Sequence, residues 1–305
     1  MRYPLLLFFT ICLLSLASGQ KTPQKELIDS GILKAKLGDF KEAINDFTKA
    51  IQLDSGEAEP YYNRGLVRSD QQDYRGAISD FTMVISLRPL SAETYYLRGF
   101  AKDNLKDYMG AIYDYNKAIS LKMDFPEAYH NMGLAKYDLG DYREAQNDFS
   151  RALQYRPDFT EAFYNRGLCR FYLNDFEGAV GDYNEAIKRD TTQMDYYASR
   201  GVAKAASGKY ENALIDFSIA ISLSPDNLHP RLNKALAFLY LKRYAQALEE
   251  YDQILRLFPG EPEAFVNRGV AKQYLEDKQG ACDDWKRASE LGSEKAKTFL
   301  LKFCE

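Results

Sequence analysis

The side chains able to do chemistry are sparse and scattered in some classes and strictly periodic in others. Two histidines, His130 and His229, stand far apart, and neither keeps company with cysteines or carboxylates at metal-ligand spacing. No GxSxG elbow, phosphate loop or HExxH pair occurs. A catalytic or metal-centred function therefore has no residues to rest on, and no cofactor is expected. The charged residues, in contrast, recur at fixed intervals, which marks them as parts of a structure rather than as one site.

Arg64, Arg98, Arg166, Arg200 and Arg268 are each followed four residues later by Arg68, Lys102, Arg170, Lys204 and Lys272. Residues four apart share one face of a helix. Further along each segment stand Asp46, Asp80, Asp114, Asp148, Asp182, Asp216, Glu250 and Asp284, always one residue before an aromatic or tryptophan side chain. Two basic positions on one helix and an acidic one on the next predict a ladder of structural ion pairs. The competing reading, an ion-binding or acid–base row, has no residue that singles it out.

The elements that carry these residues repeat every 34 positions. Gly31, Gly65, Gly99, Gly133, Gly167, Gly201, Ala235 and Gly269 set the interval. Ala43 to Ala281 and the aromatics from Phe47 to Trp285 keep step with it, and Pro89, Pro157, Pro225 and Pro259 mark the joints. Within Glu127–Pro157 the apolar and small residues fall at helical spacing in two blocks separated by Leu139-Gly140-Asp141. Gly133 leaves room where the first helix meets Phe149 of the second. The pattern resembles the tetratricopeptide repeat family. That resemblance implies an all-α, right-handed α-α superhelix, a solenoid of eight helical hairpins (24–57, 58–91, 92–125, 126–159, 160–193, 194–227, 228–261 and 262–295), with no strands. A capping helix over 293–305 is expected, since Ala296, Phe299, Leu300 and Phe303 form one apolar face.

The resemblance also implies where a partner would sit. The position two residues before the repeat glycine carries Asn63, Asn131, Asn165, Asn233 and Asn267, interrupted by Leu97 and Ser199. In the family it lines the concave surface, and the row is similar to asparagine ladders that hold the backbone of an extended peptide, because a primary amide matches a peptide group in any sequence. The adjacent position, Tyr62, Tyr96, His130 and Tyr164, would add an aromatic strip beside it. Two readings stay open for both rows: a peptide-binding track, or amides that solvate the groove beside aromatics that pack neighbouring helices. Acidic residues Glu59, Glu93, Glu127, Glu161, Asp195 and Glu263 fall in the first turn of each first helix, where the helix dipole favours them.

The termini complete the picture. Arg2, the apolar run Leu5–Leu14 and Ala17-Ser18-Gly19 read as a signal peptide over 1–19, too short to span a bilayer, followed by a brief lead over 20–23. Cleavage removes only Arg2 from the charged side chains, so the formal charge of −4 becomes more negative, which gives no general affinity for nucleic acid or for anionic lipid. Export to a periplasmic or extracellular space makes Cys282 and Cys304 the candidate disulfide, although spacing alone leaves their pairing open. The function expected is a non-enzymatic scaffold binding an extended protein or peptide segment, with no transmembrane span after cleavage. The alternative is an architectural subunit of an envelope or secretion assembly, held through its convex face and ends.

Overall fold

A computed structural model describes residues 21–304. The segment read as a signal peptide, 1–19, lies outside them. Seventeen helices and no strand occur among the described residues, joined as consecutive antiparallel hairpins. They fall into two compact units, one through Ala162 and one from Phe163. The first holds α1 (Pro23–Lys36), α2 (Phe40–Leu53), α3 (Ala58–Asp70), α4 (Tyr74–Leu87), α5 (Ala92–Asn104), α6 (Tyr108–Leu121), α7 (Pro126–Asp138) and α8 (Tyr142–Tyr155). The second comprises most of α9 (Thr160–Tyr172), α10 (Phe176–Arg189), α11 (Met194–Ala206), α12 (Tyr210–Leu223), α13 (Leu228–Tyr240), α14 (Tyr244–Leu257), α15 (Pro262–Tyr274), α16 (Lys278–Glu290) and α17 (Glu294–Phe303).

Local chemistry sets the ends of these helices. Thr22 caps α1 by accepting from the Lys25 amide, with Pro23 at the first helical position. Four second helices begin with an aspartate that accepts from a glycine amide three residues on: Asp73 with Gly76, Asp107 with Gly110, Asp175 with Gly178 and Asp277 with Gly280. Each hairpin turn needs one residue in the left-handed region. Gly140 supplies it at φ 83°, whereas Gln72, Lys106, Asn174, Lys242 and Glu276 adopt it without being glycine.

Inside each hairpin a small residue on the first helix faces an aromatic ring on the second. A Cβ placed on Gly201 would stand 2.6 Å from Phe217 Cε1, closer than any real contact, so the ring rests on bare backbone. Ala43, Ala77, Ala111, Ala145, Ala179, Ala213, Ala247 and Ala281 are wholly buried, as are the rings that follow them. The core is thus a row of small clusters, each shared by adjacent helices rather than gathered at one centre. At the C-terminal end Ser293 caps α17 through the Ala296 amide. Phe299 and Phe303 then lie 5.2 and 5.6 Å from Trp285, and a disulfide joins Cys282 to Cys304 with their Cα atoms 5.8 Å apart.

Candidate functional site

The periodic charges form a buried rail. Arg64 grips both oxygens of Asp80, and Arg68 reaches the same carboxylate at 2.8 Å. Arg98 and Lys102 do this for Asp114, Arg166 and Arg170 for Asp182, Arg200 and Lys204 for Asp216, and Arg268 and Lys272 for Asp284. The remaining guanidinium nitrogen stitches hairpins together. Arg64 donates to Thr48, Arg98 to Thr82, Arg200 to Asn184 and Arg268 to Asp252, each acceptor lying on the second helix of the preceding hairpin. The aspartates are almost fully buried, yet each is matched by two cations, which is the condition under which a buried carboxylate is tolerated.

The rail breaks three times. In α1 the arginine position is Ser30, whose hydroxyl donates to Asp46 beside Lys34. In α7 the arginine position is Met132, buried in apolar contacts, so Asp148 keeps Lys136 as its ion-pair partner at 2.7 Å. Burial outweighs that single lysine, and with a smaller push from Glu144 the carboxyl is raised to about 6. In α13 the two basic positions are Lys234 and Phe238. Lys234 pairs with Glu250 at 2.6 Å, and an open surface hollow of about 490 Å³ lies beside it against Leu214, Ile215 and Ser218 of α12.

The asparagine and aromatic rows lie deeper than a binding track requires. Tyr62 packs against Phe81, Tyr96 between Tyr115 and Phe125, and Tyr164 between Tyr183 and Tyr196. His130 is wholly buried, stacked on Phe159 at 4.6 Å, and burial lowers its imidazole to about 4, so it is neutral. Asn131 donates to the Tyr96 hydroxyl at 3.0 Å, and Ser199 meets the Tyr164 hydroxyl at 3.3 Å. Burial raises the Tyr96 phenol to about 12. Asn63, Asn131, Asn165 and Asn267 are buried, and Asn233 alone of the five is half-exposed. The expectation of an open strip formed by Tyr62, Tyr96, His130 and Tyr164 is corrected accordingly. Those rings fill the joints between hairpins, and the neighbouring amides satisfy or border their polar ends.

An accessible face does exist, two helical turns further along the first helices. Five residues after the repeat small residue, the first unit carries Lys36, Asp70, Asn104 and Asp138, whereas the second carries Tyr172, Ala206, Tyr240 and Tyr274. The three tyrosines are 50%, 60% and 61% exposed. Tyr240 stacks on Tyr210 at 5.0 Å, and Tyr274 on Tyr244 at 4.5 Å, which fixes both rings while leaving their outer faces open. Where Ala206 interrupts the tyrosines, a cavity of about 280 Å³ opens. Val202, Ala205 and Ala206 of α11, Tyr210 and Phe217 of α12, and Asn233, Leu236, Ala237 and Tyr240 of α13 line it. None of these nine is charged. Asn233 is therefore the one expected site residue that reaches an open groove. The signal that locates the rest was the switch from polar to aromatic side chains at this repeat position.

Among the described residues no three histidine, cysteine or acidic side chains are grouped to hold a metal, and no helix is long and apolar enough to cross a membrane. Hairpins of this construction, stacked through small-residue and aromatic contacts, define a helical repeat protein whose fold is that of a protein–protein interaction scaffold. The chain belongs to the tetratricopeptide repeat family, whose sequence patterns match residues 33–72, 104–140, 130–193, 170–227 and 232–271. Members of the family are generally non-enzymatic and bind proteins or peptides. No curated protein matches the sequence. Among solved structures, YrrB, a TPR protein with an unusual peptide-binding site, is 24% identical with a TM-score of 0.55, covering 60% of this chain and 95% of its own. MamA is 25% identical with a TM-score of 0.54, covering 57% and 95%. PilF from Pseudomonas aeruginosa is 14% identical with a TM-score of 0.58, covering 68% and 95%.

Proposed function

We propose that this protein is a non-enzymatic, exported scaffold that captures an extended segment of another protein in the groove formed by the first helices of its second unit. The observation that carries the reading is the open row of Tyr172, Tyr240 and Tyr274, the last two held by stacking and Tyr240 bordering an uncharged cavity. Rigid aromatic surface of this kind contributes most of the energy in protein interfaces, because it covers apolar area at low entropic cost. The half-exposed amide of Asn233 adds a donor and an acceptor for a peptide backbone. Export is supported by the apolar run Leu5–Leu14 and by the Cys282–Cys304 bond, since disulfides persist in oxidising compartments.

One observation favours the architectural alternative. Met109 and Tyr113, one turn apart on α6, are 70% and 57% exposed on a second helix. In-cell crosslinking with mass spectrometry separates the two readings. Replacing Asn233, Tyr240 and Tyr274 by alanine should abolish partner capture without loss of helicity. If that variant captures partners at full strength while Met109→Glu with Tyr113→Glu does not, the groove is not the binding face.

A further inference from the structure

The α11–α13 groove differs from the equivalent places in the second unit by the small side chains at its floor. Residues four and five after the repeat small residue are Phe171 and Tyr172 in α9, Leu239 and Tyr240 in α13, and Gln273 and Tyr274 in α15, but Ala205 and Ala206 in α11. Two methyl groups stand where two large side chains stand on either side, and the cavity is the volume they leave. At about 280 Å³ it falls below the usual range for small-molecule sites and suits a single large side chain. Its walls carry no charge, in a chain that is 28% charged, so an ionised side chain entering it would lose hydration without gaining a partner.

The same helix face also presents one carboxylate. Asp195, Ser199, Val202 and Ala206 are spaced i, i+4, i+7 and i+11 and share one side of α11. Asp195 is exposed and has no cation at ion-pair distance among the described residues. Glu59 and Glu127, at the equivalent position in the first unit, are paired with Lys25 and Arg156. Eleven residues of helix separate Asp195 from the cavity by ~16 Å. An extended chain covers that distance in about five residues.

We propose that this groove selects protein segments bearing one uncharged aliphatic or aromatic anchor and a lysine or arginine about five residues away, the anchor filling the cavity and the cation meeting Asp195. The inference rests on the groove reading and adds the chemistry of the segment. The segment runs along α11, and the Asn233 amide bonds its backbone on the way.

The test is selection of random twelve-residue peptides displayed on phage against the full chain. Recovered sequences should share a leucine, isoleucine, phenylalanine or tyrosine placed four to six positions from a lysine or arginine. A synthetic peptide of recovered sequence should bind Ala206→Tyr at least about tenfold more weakly than wild type, the order expected when a buried anchor is shut out. Ala205→Leu, which copies Leu239, provides a second way to close the cavity, and circular dichroism verifies that both variants keep their helices. Asp195→Lys should weaken binding several-fold and remove its dependence on salt. No enrichment, acid-rich sequences, or equal binding to the cavity-filled variants would overturn the proposal. If Asn233→Ala weakens binding while Ala206→Tyr does not, the pocket is wrong and the groove stands. If neither does, the groove reading falls as well.

Discussion

Two buried groups in the fourth hairpin titrate in opposite senses. His130 is neutral in the fold, its imidazole lowered to about 4 from an ordinary value near 6.5. The unfolded chain binds that proton first, so stability is lost as pH falls from 6.5 toward 4. Burial raises Asp148 to about 6 from an ordinary carboxyl near 4, and Met132 stands where five other hairpins have an arginine to oppose it. Here the folded chain binds the proton first, so stability is gained as pH falls through the same interval. Each group is worth roughly 3 kcal/mol over its range, and the two largely offset each other. His130→Phe should therefore make the protein more stable at pH 5 than at pH 7, and Asp148→Asn should make the loss of stability toward pH 5 steeper than in wild type. Urea denaturation at the two pH values measures both slopes, and parallel behaviour of the two variants would contradict the assignment.

At the scale of the helix, the turns and the last cap carry separable contributions. Glu276 sits at φ 65°, where a side chain costs about 1 kcal/mol relative to glycine. Glu276→Gly should recover about that amount, seen as a higher melting temperature with no change in the far-ultraviolet spectrum. The disulfide closes a loop with a sequence separation of 22 residues and holds α17 over Trp285. Cys304→Ser should weaken the cap by roughly 3 kcal/mol. Trp285 is the sole tryptophan, so a red shift of its emission reports the loosening directly. The hairpins themselves were legible in the sequence, because glycine opposite an aromatic every 34 residues leaves one packing solution. The orientation of the Tyr96–Asn131 pair was not. Helical spacing shows which residues share a face, but the ring of Phe125 and the next hairpin decide whether that face is open. Tyr240 is not legible as a site residue for a related reason: one exposed tyrosine is ordinary in composition, and only its stacking on Tyr210 and the neighbouring Ala206 make it part of a site.

Within each unit the helices pack mainly on their neighbours in sequence, so stability is a sum of hairpin and joint terms instead of one central core. The rail makes those terms electrostatic as well as apolar. Asp80 and Asp216 occupy the same place in two different hairpins, each shielded from solvent and each holding two cations. Removing either carboxylate takes the shared partner from two largely buried cations, at a cost of about 3 to 5 kcal/mol, and also loosens the arginine that bonds the preceding hairpin. In a molecule with a single core both lesions would lower one shared transition equally. In a chain of nearest-neighbour terms the effect fades with distance from the lesion. Asp216→Ala, two hairpins from Trp285, should lower the denaturation midpoint read by tryptophan fluorescence more than Asp80→Ala does. Circular dichroism, which averages all helices, should show both variants losing cooperativity, with a broader transition than wild type. Identical midpoints by the two probes for both variants would mean that the repeats unfold as one unit.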